Sequence, residues 1–237
     1  MGQVAEKLAA SSPRRQADRT ALSDARMVDA AVRLIVERGI ERTTLKEVGE
    51  LAGYSRGLAG YRFGSKGGLY GFVVKAIGEE WLKELTRVTQ GKAGIDALIA
   101  ATDAHYRFCV DAPDHVRAFY ILWFESIGPG SEYKEVIAGI HRRRQRDVTA
   151  WIRKGIEAKQ INPAVNAAGV ANQFCASIIG IVYQWLVNPG ALPEIESMHN
   201  DLKQTMQQLL PIDSVSDCHS DERQRRGIQK DSSLRSE

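Results

Sequence analysis

Hydrophobic residues recur along this chain at spacings of three and four, which is the period of amphipathic helices. The first stripe begins after residue 23, and beyond about residue 80 every apolar pattern is helical. Short clusters rich in glycine and proline, at residues 128–131 and 188–190, interrupt the stripes and predict loops. The pattern therefore predicts an all-α protein.

One stretch near the N-terminus predicts a helix-turn-helix. Thr44 and Glu47 have the spacing of a capping box, in which the threonine hydroxyl accepts from a backbone N–H and the glutamate reaches back to the cap. Gly53 stands where a left-handed residue ends a helix, and Ser55 can cap a second helix that starts at Arg56. The first of these helices is predicted to share one apolar face, formed by Leu45, Val48, Leu51 and Ala52. Such a pair of helices is typical of a motif whose second helix enters the DNA major groove.

A further helix is predicted before this motif. Ser23 can cap it, and Arg38 followed by Gly39 is a typical helix end. Its buried stripe is predicted to consist of Val28, Ala31, Val32 and Ile35. The three helices together predict a small N-terminal domain.

The distribution of charge agrees with a DNA-binding role for this segment. Residues 1–70 hold 12 Lys and Arg against 8 Asp and Glu, whereas residues 71–211 hold 15 of each. Phosphate contacts require positive charge, and the excess lies in the part of the chain that carries the helix-turn-helix. The bias is modest, because the net charge of the whole chain is only +3.

The N-terminal quarter of the chain resembles the TetR family, the tetracycline-repressor-like transcription regulators. The residues that carry the resemblance lie at fixed spacing over about fifty positions: residues 26–31, Leu34, Gly39, Thr43, Thr44, residues 52–55, Gly57, Phe63, Ser65, Lys66 and Leu69. The resemblance implies an N-terminal three-helix DNA-binding domain and a larger C-terminal helical bundle that binds a ligand and forms a dimer. Beyond the first quarter, the chain matches the family only in being helical and of suitable length.

Three positions depart from the family's pattern. The family usually carries a tyrosine where this chain has Gly60 and an aromatic residue or histidine where it has Arg62, although Tyr61 stands one place away. Gly49 replaces a usual alanine, and glycine inside a helix costs up to about 1 kcal/mol relative to alanine. We expect Gly49 to be compensated by a closer approach of the first helix.

The resemblance and the motif together predict four segments. These are a mobile tail over residues 1–21, a DNA-binding domain over residues 22–80 with its helix-turn-helix at about 44–63, a ligand-binding and dimerisation domain over residues 81–211, and a disordered tail over residues 212–237. For residues 1–21, a basic arm that touches DNA is the alternative. The predicted DNA-contacting residues are Thr43, Thr44, Ser55, Arg56, Leu58, Ala59, Tyr61, Arg62 and Lys66.

The fourth predicted helix begins at Ser65 and Lys66, and its four glycines are typical either of a pliable helix or of close packing against the first helix. The second domain concentrates aromatic residues, which predicts an apolar pocket with a few polar residues. The candidate ligand-binding residues are His105, Tyr106, Phe119, Trp123, Trp151, Asn172, Gln173 and Phe174. For any one of them, a plain core position is the alternative.

Two amphipathic helices at the end of the second domain predict a dimer interface. One is expected to open at residues 162–163 and to reach about residue 187, and the other to cover about residues 193–210. Two such helices from each of two chains form a four-helix interface in the family, which implies a homodimer. The candidate interface residues are Ile178, Ile181, Val182, Trp185, Met198, Leu202, Met206 and Leu209.

Catalytic and metal-binding patterns are weak in this sequence. His105 and Cys109 share a helix face at a spacing that suits two metal ligands, but the sequence offers no evident third ligand, so we predict no metal site and no cofactor. The basic run at residues 141–146 is predicted to be a solvated helix face. Three scattered cysteines and no signal peptide predict a cytoplasmic protein. The most apolar stretch, residues 170–187, is interrupted by polar residues, so no membrane span is predicted.

The sequence thus predicts a DNA-binding regulator rather than an enzyme. The resemblance implies a ligand-responsive repressor that binds a palindromic operator as a homodimer, with an unidentified small-molecule effector, and it leaves activation open. Two alternatives remain: a helical small-molecule-binding protein or enzyme whose DNA-binding module is inactive, and a helical protein adaptor. The departures at Gly60 and Arg62 are what make an inactive module conceivable.

Overall fold

The computed structural model describes residues 13–55 and 57–211, with side chains from residue 17 onward. The described residues form nine α-helices and no strand, which confirms the predicted all-α class. The helices are α1 (Pro13–Arg38), α2 (Leu45–Leu51), α3 (Leu58–Phe63), α4 (Lys66–Thr89), α5 (Gly94–Asp111), α6 (Pro113–Glu125), α7 (Lys134–Glu157), α8 (Ala167–Val187) and α9 (Leu192–Leu209).

Helix α1 is longer than the sequence pattern predicted. It begins at Pro13, so Ser23 lies inside the helix and residues 13–21 belong to α1 rather than to a tail. Proline suits a helix start because its missing N–H has no intrahelical partner there in any case. Residues 1–12 and the predicted tail at residues 212–237 lie outside the described residues. The predicted stripe of α1 is buried, together with Met27 and Leu34.

The capping box at the start of α2 has formed. Thr44 has extended backbone angles, and its Oγ1 accepts from the backbone N–H of Glu47 at 3.2 Å. Gly53 has φ +81° and ends the helix in the left-handed region. Of the predicted apolar face, Val48 and Ala52 are buried, whereas Leu51 is 44 % exposed.

The start of α3 differs from the prediction. Gly57 is the N-cap residue, and Ser55 lies in the preceding turn, where its carbonyl oxygen accepts from the N–H of Leu58 at 3.0 Å. A Cβ on Gly49 would lie 3.1 Å from that carbonyl oxygen and 3.6 Å from Cβ of Ala59. Gly49 therefore makes room for the turn and α3, and not for α1 as expected from the sequence.

Helix α4 runs from the DNA-binding module into the second bundle, and the predicted boundary at residue 80 falls inside it. Its glycines do not pack on α1. A Cβ on Gly67 would collide with the side chain of Glu132, and one on Gly78 would lie 3.3 Å from Cδ1 of Ile140. At these two glycines the α6–α7 loop and α7 therefore approach α4 closely.

Helices α5 to α9 form the second bundle. Helix α5 packs on α4, α7 and α9, and α8 packs on α7 and α9. Helix α8 begins at Ala167, where Oδ1 of Asn166 accepts from the N–H of Gly169 at 3.0 Å. The expected start at residues 162–163 was wrong, because Oδ1 of Asn162 instead closes a turn by accepting from the N–H of Ala164.

Helix α8 is also long and apolar enough, by length and composition, to cross a membrane. The expectation that no stretch of the sequence is long and apolar enough to span a bilayer was therefore wrong. The same composition suits a core helix, and one face of α8 is buried against α7 and α9.

Candidate DNA-binding surface and buried cavity

The exposed side chains of the helix-turn-helix include one at the start of α2 and one inside α3. The Thr44 side chain is exposed at the start of α2, and Tyr61 in α3 is 91 % exposed. The hydrogen bond from the Thr44 hydroxyl lowers the pKa of Glu47, so this carboxyl group stays ionised at the positive end of the helix. A phenol so exposed is available to a partner.

Two basic residues of this module are held by intramolecular contacts. The guanidinium of Arg62 donates to Asp24 of α1 at 2.6 Å. Nζ of Lys66, the first residue of α4, donates to the carbonyl oxygen of Glu41 at 2.9 Å. The second contact places the N-terminus of α4 beside the loop that leads into Thr44. Helix N-termini are favourable sites for phosphate.

Several predicted DNA contacts are not available in this structure. Thr43 is fully buried, and its hydroxyl donates to the carbonyl oxygen of Gly39 at 2.9 Å. Ala59 is fully buried against α2, and Leu58 is half-buried. The predictions for Thr43 and Ala59 were wrong because both residues fill the contact between helices. Arg56 lies outside the described residues.

Sequence reasoning missed two exposed basic residues near the start of α2. The side chains of Arg42 and Lys46 are exposed on either side of Thr44. The excess of positive charge over residues 1–70 was the only signal of them.

Contacts link the DNA-binding module to the second bundle at the N-terminal half of α4. The Ser65 hydroxyl, which caps α4, donates to Oε2 of Glu132 in the α6–α7 loop at 2.6 Å. The Tyr70 hydroxyl donates to the carbonyl oxygen of Ile40 at 2.6 Å, and its ring meets Tyr133 edge-on. The α6–α7 loop is therefore in direct contact with the start of α4.

The second bundle encloses a small, largely apolar cavity with a volume of about 40 Å³. It lies among α4, α5, α7 and α8. Its lining residues are Trp81, Leu85, Ala101, His105, Arg144, Asp147, Val148, Trp151, Phe174, Cys175 and Ile178. A second cavity of about 10 Å³ shares Trp81, His105 and Arg144 with the first and is also lined by Phe119 and Tyr120. Drug-sized ligands need roughly 300 Å³ or more, so the side chains would have to separate to admit one.

The structure brings half of the predicted ligand-binding residues to these cavities. His105, Trp151 and Phe174 line the larger cavity and Phe119 the smaller one. Asn172 and Gln173 are exposed and line neither cavity; Oδ1 of Asn172 accepts from Nε2 of Gln145 at 2.9 Å, and Asn172 instead lines an open groove between α7 and α8. Tyr106 and Trp123 are not among the lining residues of either cavity; they pack against His199 and His141, respectively.

Arg144 is the residue of this region that sequence reasoning misjudged. It is half-buried, although its neighbours Arg142, Arg143 and Arg146 are exposed as predicted for a solvated face. Its guanidinium lies 5.1 Å from the ring centroid of Trp123 and donates to the Tyr120 hydroxyl at 3.0 Å. In the sequence it belongs to a basic run that was predicted to be solvated, and its contacts with α6 became apparent only in the structure.

A chain of hydrogen bonds continues from Arg144 into the core. The Tyr120 hydroxyl lies 3.4 Å from Nε2 of His105, and Nδ1 of His105 lies 2.9 Å from Nε2 of His199. Nδ1 of His199 donates to the carbonyl oxygen of Ile195 at 2.7 Å. Burial lowers the pKa of both histidines, and the neutral forms satisfy every bond in the chain. Burial likewise raises the pKa of the nearby Cys109 thiol to about 12.

The predicted dimer interface is largely used within the chain. Ile178, Val182 and Leu202 are buried, because α8 and α9 turn these faces towards each other and towards the rest of the bundle. Ile181, Trp185 and Met206 are buried in the same way, Met198 is half-buried and Leu209 is 37 % exposed. Their assignment to a partner-facing surface was wrong, apart from Leu209 and part of Met198. The exposed apolar side chains of α8 are Tyr183 and Val187, at 55 % and 66 %.

Comparison with known proteins agrees with this arrangement. Residues 27–71 match the family model for bacterial regulatory proteins of the tetR family. The HTH-type transcriptional regulator TtgR of Pseudomonas putida is 23 % identical over 175 residues, which cover 71 % of this chain and 82 % of TtgR.

Solved structures share the fold. The transcriptional regulator FadR from Bacillus subtilis, in complex with stearoyl-CoA, superposes with a TM-score of 0.68 at 15 % identity, over 79 % of this chain and 99 % of FadR. SmeT, the repressor of the Stenotrophomonas maltophilia multidrug efflux pump SmeDEF, gives a TM-score of 0.67 at 18 % identity, over 81 % of this chain and 92 % of SmeT.

The matched segment covers α2, α3 and the contacts that hold them to α1 and α4, and the relatives are regulators rather than enzymes. The segment at residues 27–71 is thus similar to the DNA-binding module of bacterial regulatory proteins of the tetR family, and the comparisons together support a TetR-family transcriptional regulator.

Proposed function

We propose that this protein is a homodimeric repressor that binds a palindromic operator through α3 and releases it when a small molecule enters the second bundle. The observation that carries the DNA-binding part is Tyr61, which is 91 % exposed in the second helix of the helix-turn-helix. A tyrosine so exposed in this helix is expected to contact a partner surface. Its hydroxyl can form a hydrogen bond with a phosphate or with the edge of a base.

The surroundings of Tyr61 suit a nucleic-acid backbone. Lys66 is tied to the loop before Thr44, so the N-termini of α2 and α4 lie near each other. Arg42 and Lys46 add exposed positive charge beside Thr44. We therefore assign phosphate contacts to Thr44 and Lys66 together with these two residues. Arg62 is paired with Asp24, so it would reach DNA only by giving up that pair.

Dimerisation is assigned to the outer face of α8. Tyr183 and Val187 are exposed there, and the exposed small residues Ala176 and Gly180 continue the same helix face in the two turns before Tyr183. Small residues allow two helices to approach closely, and exposed apolar side chains gain from burial in an interface.

The effector site is assigned to the cavity beside Arg144. Its walls are mainly aromatic and aliphatic, and its polar lining residues are His105, Arg144 and Asp147. Such a site suits an aromatic or long apolar molecule with one acceptor group for the guanidinium. FadR was solved with stearoyl-CoA and SmeT with triclosan, and both ligands are largely apolar, which supports this class.

The link between the two sites is α4. Trp81 and Leu85 in its C-terminal half line the cavity, while Ser65 at its N-cap binds Glu132. A ligand larger than the cavity separates the helices that line it, α4, α5, α7 and α8, and a displacement of α4 would carry its N-terminal end and α3 with it. The ligand acts only through its different affinity for the DNA-binding and released conformations.

Charge reversal at one phosphate-contacting residue tests the DNA-binding part. We expect Lys66→Glu to weaken binding to an operator at least about tenfold and to reduce the slope of log affinity against log salt by about 0.9 for each phosphate that the variant no longer neutralises. Lys92→Glu makes the same charge change at an exposed turn after α4 and is the matched control. Equal effects of the two variants, with both still folded by circular dichroism, would contradict the assignment.

A further inference from the structure

We infer that His105, Cys109 and His199 form a binding site for a divalent transition-metal ion of the zinc type. All three side chains are buried, and their ligand atoms lie within 4.8 Å of one another. His105 and Cys109 come from consecutive turns of α5, and His199 comes from α9, 94 residues further along the chain. The site is separate from the proposed DNA-binding and dimer surfaces, and it does not depend on them.

The type of ligand favours zinc. Zn²⁺ is commonly held by imidazole nitrogen and cysteine sulfur, in closed tetrahedral sites or in sites with three protein ligands and one open position. Two histidines and one cysteine match the open type. Magnesium and calcium prefer oxygen ligands, and none of these three side chains offers one.

The orientation of His199 is already that of a metal ligand. Its Nδ1 donates to the carbonyl oxygen of Ile195 at 2.7 Å, which leaves the lone pair of Nε2 directed at His105. Metal-binding histidines almost always donate their second ring nitrogen to a carbonyl or carboxylate oxygen in this way. The bond fixes both the tautomer and the plane of the ring.

The distances between the ligand atoms are close to those of a zinc site. With bonds of 2.0–2.1 Å to nitrogen and 2.3 Å to sulfur, tetrahedral geometry separates two nitrogens by about 3.3 Å and a nitrogen from a sulfur by about 3.6 Å. The structure has 2.9 Å between the two ring nitrogens and 4.0 Å between Sγ of Cys109 and Nδ1 of His105. A small separation of the rings and a rotation of the cysteine side chain close the site.

Binding of the ion releases one proton from the site and moves a second proton within it. The Cys109 thiol releases one proton as its sulfur bonds the ion, and His105 moves its ring proton from Nδ1 to Nε2. That N–H then donates to the Tyr120 hydroxyl oxygen, which already accepts from Arg144 and has a second lone pair. The positive charge of Arg144 opposes the ion, so an anionic fourth ligand from the cavity lined by His105 would strengthen binding.

Cobalt substitution tests the site in the untagged, full-length protein after treatment with a chelator. Cys218 and His219 lie outside the described residues and are potential ligands, so the experiment uses a Cys218→Ser, His219→Gln background. Titration with Co²⁺ is followed by the thiolate-to-cobalt charge-transfer band and the visible bands of a tetrahedral ion. Zn²⁺ affinity is then measured by competition with a chromophoric chelator.

We expect saturation at one ion per chain, with one thiolate bound, and displacement of Co²⁺ by Zn²⁺. Cys109→Ser should lose the charge-transfer band, whereas Cys175→Ser, the other buried cysteine, should keep it. His199→Gln should weaken Zn²⁺ binding by more than about 100-fold, since even loss of an outer hydrogen bond costs about 10- to 100-fold. His141→Gln is the matched histidine control.

Absence of a saturable charge-transfer band in the background protein would overturn the proposal, whatever the variants do. Retention of the band in Cys109→Ser would overturn it as well. Circular dichroism and thermal unfolding of each variant show whether a loss of binding reflects loss of the fold.

Discussion

Replacement of glycine by alanine is expected to have opposite effects on stability at two positions near the DNA-binding surface. Gly68 lies in the first turn of α4, and a Cβ there would stand 2.2 Å from the carbonyl oxygen of Phe63. That oxygen belongs to the last residue of α3 and accepts from the N–H of Ser65, so it cannot withdraw alone. Gly60 lies inside α3, and a Cβ there would meet nothing within 4 Å.

These contacts give the expected magnitudes. Overpacking lowers the free energy of unfolding by about 1–3 kcal/mol. Replacement of a helical glycine by alanine raises it by up to about 1 kcal/mol, because alanine has the higher helix propensity. Gly68→Ala should therefore lower the free energy of unfolding by about 1–2 kcal/mol, whereas Gly60→Ala should raise it by up to about 1 kcal/mol. For a chain of this size, about 1 kcal/mol shifts Tm by roughly 2–4 °C.

Thermal unfolding followed by circular dichroism measures both effects at one protein concentration. We expect a lower Tm for Gly68→Ala and an equal or higher Tm for Gly60→Ala. Because the clash pushes α3 away from α4, Gly68→Ala should also weaken operator binding at temperatures where the variant is folded. A Tm of Gly68→Ala at or above that of the parent protein would refute the close approach of α3 to the start of α4.

Three further predictions concern single side chains. Thr43→Val removes a buried hydroxyl that donates to Gly39, so it should lower unfolding free energy by about 1 kcal/mol, while the folded variant should bind operator within about twofold of the parent in a fluorescence anisotropy titration. Asn166→Ala removes the cap of α8 and should cost about 1 kcal/mol in chemical denaturation; no loss would place the helix start elsewhere. Tyr183→Glu puts a charge on the outer face of α8 and should shift sedimentation from dimer to monomer, whereas Glu196→Gln on the exposed side of α9 should leave a dimer.

Local signals predicted the DNA-binding module well. The capping box of Thr44 and Glu47 and the left-handed Gly53 depend on residues within a few positions of each other, and all three are present in the structure. Helix starts were less predictable. Polar residues extend α1 ten residues before Ser23, because they continue the helix without adding to its buried stripe.

Long-range packing explains the positions that the sequence could not assign. Arg144 sits in a run of exposed basic residues, and only the aromatic rings of α6 beside it turn it inward. His199 approaches His105 only through the contact of α5 with α9. The apolar stripes of α8 and α9 were equally consistent with an internal contact and with a partner, and each helix turns out to bury its stripe within the chain.

Selection of DNA by the purified protein from a pool of genomic fragments tests whether the protein recognises a specific operator. We expect recovery of a palindrome whose half-sites lie about 34–36 Å apart, one helical turn, as two α3 helices of a dimer require. Enrichment should fall steeply as salt increases, since phosphate contacts release counterions. Recovery of no sequence above background at low salt would contradict the account and would leave the C-terminal bundle as the functional part of the chain.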